Sequence, residues 1–239
     1  MIAVRGLTKH YGDRVAVHDL DFELAAGQVT GFVGPNGAGK STTMRMMVEL
    51  TRPDRGEVRY DGVHYRDLAH PARVVGSVLD ARCMHPGRTA RNHLRATAAL
   101  SGIPARRVDE VLGGVGLETV ADDRAGGFSL GMRQRLALAT ALLGEPQILL
   151  LDEPSNGLDP DGIRWMRNHL RSFADAGGTV FVSSHLIAEL ARFADDLVVV
   201  GAGRLIAAET VESVTSRTGR SLEDSLLDMT TDATEFASA

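Results

Sequence analysis

Nine consecutive residues carry the strongest chemical signal in the chain: Gly34, Pro35, Asn36, Gly37, Ala38, Gly39, Lys40, Ser41 and Thr42. Gly34 to Ser41 fit the pattern of Gly, four residues, then Gly-Lys-Ser, the spacing of a loop that wraps phosphate oxygens. Glycines let backbone N–H groups turn inward without Cβ clashes, and a helix opening there points its positive end at the anion. Lys40 is then placed to bridge β- and γ-phosphates, and Ser41 to ligate Mg²⁺. By average residue usage the four fixed positions would arise by chance roughly once in a hundred chains of this length. The alternative is a Gly-rich turn with no ligand. A strand before the loop and a helix after it favour the phosphate reading.

A second signal is Ile148-Leu-Leu-Leu151-Asp152-Glu153, an apolar strand ending in two carboxylates. Beside a phosphate loop the first acid can hold Mg²⁺, usually through water, and the second can polarise an attacking water. Alone, the pair would read as a solvated acidic turn. The phosphate loop upstream reverses that reading.

The elements that must position these residues are short β-branched or apolar runs at 29–33, 57–60, 74–79, 148–151, 179–183 and 197–200. Helices are expected over 39–50, 90–100, 104–112, 130–143, 160–174 and 187–193. Strands alternating with helices predict an α/β sheet with parallel strands. Residues 81–144 read as almost wholly helical, with breaks at Gly113-Gly114 and Gly126-Gly127, and so as an insertion into the α/β core. Asp159-Pro160 is a sound helix start, an acid that can cap free N–H groups followed by Pro at the first helical position. Residues 213–220 read as a linker to a last short helix at 222–229, with frayed residues beyond 230. Trp165 and the cluster Met44, Met46 and Met47 are expected to pack helices rather than touch a ligand.

Composition sets the bounds. The 239 residues suit one large α/β domain or two small ones, with 44% hydrophobic and 24% charged residues, ordinary for a globular protein. A net charge of −5 argues against a duplex nucleic-acid binder. The single Cys83 permits no intrachain disulfide and no multi-Cys zinc site, and a reducing cytosol is the natural reading. No signal-peptide pattern and no run of ~18 to 20 apolar residues is present, so any service to a membrane is expected to pass through a partner.

Over nearly its whole length the sequence resembles the ABC ATPase family. Tyr11, in Thr8-Lys-His-Tyr-Gly12, stands where the family has an aromatic that stacks on adenine, and residues 34–42 are the phosphate loop. Ser129-Leu-Gly131-Met-Arg-Gln134-Arg135 occupies the place of the signature motif. Asp152-Glu153-Pro154 carries the acids, Asn156-Gly-Leu-Asp159 fits the D-loop, and Ser184-His185 fits the switch histidine. The resemblance implies a nucleotide-binding domain over 1–210, with a RecA-like core (about 1–80 and 145–210), an N-terminal antiparallel β-subdomain, an inserted helical subdomain (about 81–144) and a short C-terminal extension at 211–239. It further implies ATP and Mg²⁺ as cofactors, with Ser41 and Asp152 at the metal, Glu153 as the group orienting water and His185 at the γ-phosphate. Such domains pair head to tail, as a homodimer or pseudo-symmetric dimer, so that Ser129 and the Gly131 backbone reach the partner's nucleotide.

The family pattern is departed from in two places. The signature reads Phe128-Ser-Leu-Gly-Met132 in place of Leu-Ser-Gly-Gly-Gln, a form that looks like the bacitracin- and daunorubicin-type exporter branch, as does the tail Ser221-Leu-Glu-Asp-Ser-Leu-Leu227. Asp80 stands where a glutamine normally ligates Mg²⁺ and senses the membrane partner; it is one methylene shorter and adds a charge. Residues 82–92 would then line the groove that receives the partner's cytoplasmic helix, the alternative being an ordinary surface loop. The expectation is the ATP-hydrolysing subunit of a bacterial exporter, peripheral on the inner face of the membrane through separately encoded transmembrane permease subunits, with no nucleic-acid partner. Two alternatives stay open: a non-transport ABC protein acting on ribosomes or DNA, and a regulatory binder with little turnover.

Overall fold

The computed structural model describes residues 1–80, 84–184, 187–218, 221–226 and 229. In chain order the elements begin with β1 (Ile2–Tyr11), β2 (Arg14–Leu24), β3 (Val29–Val33), α1 (Lys40–Met47), β4 (Arg55–Tyr60), α2 (Pro71–Val74) and β5 (Val75–Val78). Three helices follow, α3 (Ala90–Leu100), α4 (Arg106–Gly114) and α5 (Leu130–Leu142). The chain then alternates through β6 (Ile148–Asp152), α6 (Pro160–Asp175), β7 (Thr179–Ser183), α7 (Ile187–Leu190), β8 (Asp196–Gly201), β9 (Arg204–Thr210) and α8 (Val211–Thr218).

One sheet has six strands in the order β5-β6-β7-β3-β8-β9. Its first five strands are parallel and β9 closes the edge antiparallel to β8. β3 and β7 are buried at every position, which is why their sequences run apolar without alternation. A separate three-stranded antiparallel sheet, β2-β1-β4, lies against it. The expected strand at 57–60 therefore belongs to the antiparallel sheet, not to the parallel one.

Three apolar clusters hold these layers. Phe22 of the small sheet meets Phe181 and Phe32 of the large one at ring-centroid distances of 5.6 and 6.1 Å, and Phe32 stacks on Phe181 at 4.8 Å. Met44, Met46 and Met47 of α1 are buried in the same cluster and confirm their expected packing role. On the other face of the large sheet α5 and α6 pack Ala137, Leu138, Met166 and Leu170. The helices from α3 to α5 enclose a third cluster around Leu94, Val108, Leu112, Leu117 and Leu136.

The chain after β9 corrects one expectation. Residues 213–218 are not a linker but lie in α8, whose Val214 is buried. Residues 222–226 are helical as expected, and Leu222 and Leu226 join the cluster beneath α6. The apolar faces of these short segments outweigh their polar composition. Residues beyond 230 lie outside the described residues.

Candidate nucleotide-binding site

The phosphate loop joins the end of β3 to the start of α1. Glycine is required at two of its positions by close approach. A Cβ on Gly34 would stand 2.2 Å from the carbonyl oxygen of Val200, and one on Gly39 would stand 2.5 Å from that of Ala16, where φ is also +98°. The first turn of α1 carries no acidic side chain and Gly39 supplies no side-chain cap. The helix thus offers its N-terminal N–H groups and positive dipole end to an anion from outside the helix.

Lys40 opens the helix and is only 7% exposed. Its ammonium donates to the carbonyl oxygens of Gly34 (2.6 Å) and Pro35 (3.3 Å). Burial lowers its pKa from the ordinary lysine value, opposed by the charges of Glu153 and Asp152. A buried cation at an uncapped helix N-terminus suits a polyanion.

The carboxylates stand at the end of β6, the strand next to β7, and Asp152 pairs in register with Ser183. Ser183 Oγ donates to Asp152 Oδ1 at 2.6 Å and accepts from the Glu153 backbone N–H at 2.9 Å. That second bond holds Glu153 at a φ of +50°, a left-handed conformation uncommon for a residue with a side chain. Sequence reasoning passed over Ser183. Its signal is a buried polar residue closing an otherwise apolar strand, Thr179-Val-Phe-Val-Ser183.

One cleft of 390 Å³ gathers most of the expected residues: Tyr11, Asn36, Gly37, Gly39, Lys40, Ser41, Thr42, Asp152 and Glu153. Tyr11 stands at its rim, 51% exposed, with Lys9 Nζ over the ring at 5.6 Å from its centre. A neighbouring cavity of 480 Å³ joins Ser41, Asp152 and Glu153 to Asp80, Leu130, Gln134 and Asn156. Asp80 stands two residues beyond β5 and adds a third carboxylate to the lining of this cavity. Arg82, Cys83 and His185 lie outside the described residues.

Ser129 and Asp159 both act as helix caps within this chain. Ser129 Oγ accepts from the Met132 N–H at 3.2 Å at the start of α5, and Asp159 Oδ1 accepts from the Gly162 N–H at 2.8 Å at the start of α6. Ser129 is exposed and Leu130 is 42% exposed, so the α5 N-terminus faces outward. Gly131 has no φ requirement, and a Cβ there would meet only ordinary contacts, the nearest at 3.7 Å to Leu158. Trp165 packs as expected, tilted against His169 at 4.0 Å with the Arg135 guanidinium 4.2 Å from its ring centre.

A parallel sheet with this strand–loop–helix turn and carboxylates closing the next strand but one defines a phosphate-loop nucleotide-binding protein. The ABC transporter family matches residues 17–156, and the chain belongs to that family as an ATP-binding, ABC-type ATPase. A bacitracin transport ATP-binding protein, BcrA, of Bacillus licheniformis is 37% identical over 231 residues, which are 95% of this chain and 76% of the relative. A lantibiotic transport ATP-binding protein, SrtF, of Streptococcus pyogenes is 33% identical over 208 residues, 86% of this chain and 89% of the relative. An ATP-binding cassette solved as a dimer, in a post-hydrolysis state with ADP and Pi, superposes with a TM-score of 0.79 at 26% identity, covering 88% of this chain and 99% of that one.

Proposed function

We propose that this chain binds Mg–ATP in the cleft between Tyr11 and Glu153 and hydrolyses it to drive export through separately encoded membrane permeases. The observation that carries the reading is the gathering of an exposed aromatic, a buried lysine, a phosphate-loop serine and two carboxylates on one cleft. Tyr11 stacks on the adenine, and residues 34–42 hold the phosphates through N–H groups and Lys40. Glu153, in its constrained backbone conformation, orients the attacking water. His185 is assigned the γ-phosphate from the far side.

The donor set fits Mg²⁺. Ser41, Asp152 and Asp80 offer only oxygen, and among the described residues no group of three or more His, Cys, Asp or Glu forms a metal cage. Mg²⁺ is held in this way, by one or two protein oxygens completed by phosphate and water, and bound there it would neutralise charge on the phosphates.

Ser129 and Gly131, on an outward-facing helix end, are assigned to the nucleotide of a second subunit. The glycine without an internal requirement supports that close approach, and a dimeric cassette among the structural relatives supports the pairing. Asp159 anchors the D-loop between the two sites. Among the described residues no helix is long and apolar enough to cross a membrane, so the transport path is assigned to partner subunits and the chain to the inner membrane face. Relatives named for bacitracin and lantibiotic transport point to an antibiotic-class cargo.

The test is ATP affinity and ATPase rate in wild type and Lys40→Ala. Loss of both in the variant is expected; unchanged values would remove the site assignment. A wild type that binds ATP without turnover, alone and with its permease, would favour the regulatory alternative.

A further inference from the structure

The cleft has a second cation that none of the assigned roles uses. Arg14 opens β2 and lines the same cleft as Tyr11, Lys40, Ser41 and Thr42. β1 and β2 join through a tight turn in which Tyr11 and Arg14 are directly paired. Residues directly opposite each other in an antiparallel ribbon project their side chains to the same face. Tyr11 and Arg14 therefore stand side by side over the cleft.

The guanidinium lies toward the phosphate loop. Its Nη2 is 3.3 Å from the point a Cβ on Gly37 would occupy, so it rests on the crest of that loop. Lys40, in contrast, is buried at the loop's base and bonded to loop carbonyls. Arg14 is exposed, and among the described residues its guanidinium has no hydrogen bond or ion pair.

We propose that Arg14 is a further nucleotide-binding residue, which grips the inner part of the polyphosphate chain from the side opposite Lys40. This rests on the ATP-site reading above. With the base against Tyr11 and the terminal phosphate at Lys40, the α- and β-phosphates pass between Tyr11 and Gly37, beneath the guanidinium. A planar fork of N–H donors with no acid to satisfy it matches a diphosphate unit in charge and shape. The carboxylates that share the cleft, Asp152 and Glu153, exert their charge on Lys40.

The experiment is competition of ATP, ADP and AMP against a fluorescent ATP analogue on wild type, Arg14→Gln, Arg14→Lys and Lys40→Ala, with melting temperatures of all four. Arg14→Gln is expected to weaken ATP and ADP by roughly tenfold and AMP by less than about twofold, with Arg14→Lys recovering part of the loss. Arg14 is exposed at a turn, so its variants should melt with wild type. Equal weakening of all three nucleotides would place Arg14 on the base or ribose and overturn the proposal. Wild-type affinity in Arg14→Gln beside lost binding in Lys40→Ala would also overturn it while leaving the site intact. Wild-type binding in Lys40→Ala would instead bring down the site reading itself.

Discussion

At the scale of single residues, both acidic residues lean on Ser183. Its hydroxyl donates to Asp152 and accepts from the Glu153 N–H, so one buried oxygen sets the aim of the acid assigned to the metal and the backbone of the acid assigned to water. Ser183→Ala removes both bonds and frees Glu153 from a conformation that costs roughly 1 kcal/mol or more. The expected result is a stability loss of ~1 to 3 kcal/mol from the two unpaired groups and an ATPase rate about tenfold lower, with ATP affinity nearly unchanged. Chemical denaturation, steady-state ATPase and nucleotide titration check the three parts; a wild-type rate would leave Ser183 a packing residue. The phosphate loop was legible in sequence because its contacts are made by consecutive backbone groups. Ser183 and Arg14 were not, since each earns its place only through register, Asp152 with Ser183 and Tyr11 with Arg14.

At the scale of elements, the ends of helices and strands do the positioning. Ser129 caps α5, so Ser129→Ala is expected to lose about 1 kcal/mol along with any contact to a second subunit's nucleotide. Ser129→Asp separates the two, because Asp caps as well as Ser yet sets a negative charge against the γ-phosphate. Melting near wild type with ATP-driven pairing abolished is the expected outcome; pairing retained would deny Ser129 its trans role. The end of β1 that carries Tyr11 is tied down by Asp54, just ahead of β4, whose carboxylate accepts from Lys9 Nζ (2.8 Å) and the His10 N–H (2.6 Å). These bonds, the one from Lys9 first, pull its pKa from 3.8 to about 2. The folded value lies below the unfolded one, so this stabilisation is whole above pH 3.8 and is lost as pH falls toward 2. Asp54→Asn should therefore melt below wild type at pH 6, with the gap closing by pH 2; a gap independent of pH would exclude this linkage. The longer helices and the buried strands were legible from periodicity and apolar runs, whereas the short α2 and α8 were not. β1 escaped the same reasoning because register shifts between Val4, Leu7, Lys9 and His10 break the period of two, whereas β2 alternates cleanly over Leu20–Leu24 and its signal was passed over. β9 escaped because it is an edge strand only partly buried.

At the scale of the whole molecule, the helices α3 to α5 enclose their own apolar cluster yet are fastened to the sheet. α5 supplies Leu136 and Ala139 to that cluster and Ala137, Leu138 and Ala141 to the one beneath the sheet. α6 adds a second fastening, through His169 Nε2 near the Gly114 carbonyl oxygen (3.0 Å) and Trp165 under Arg135. Ser129 and Gly131 nevertheless do not line the cleft that holds Tyr11 and Lys40. On the proposed reading, the site is completed by a second copy, with ATP as the shared ligand and the closed pair favoured by its differential affinity. Hydrolysis would remove the γ-phosphate contacts and reopen the pair, so blocking chemistry without blocking binding should trap it. Glu153→Gln keeps the shape of the side chain, removes its charge and leaves the backbone bond to Ser183 in place. This variant is expected to bind ATP, to turn over at least about a hundredfold more slowly, and to elute from a sizing column as a dimer with ATP and as a monomer with ADP. Adding Lys40→Ala should return it to monomer under both conditions. Turnover at the wild-type rate would assign the base elsewhere, and a monomer that is fully ATP-bound would deny that the nucleotide joins two copies.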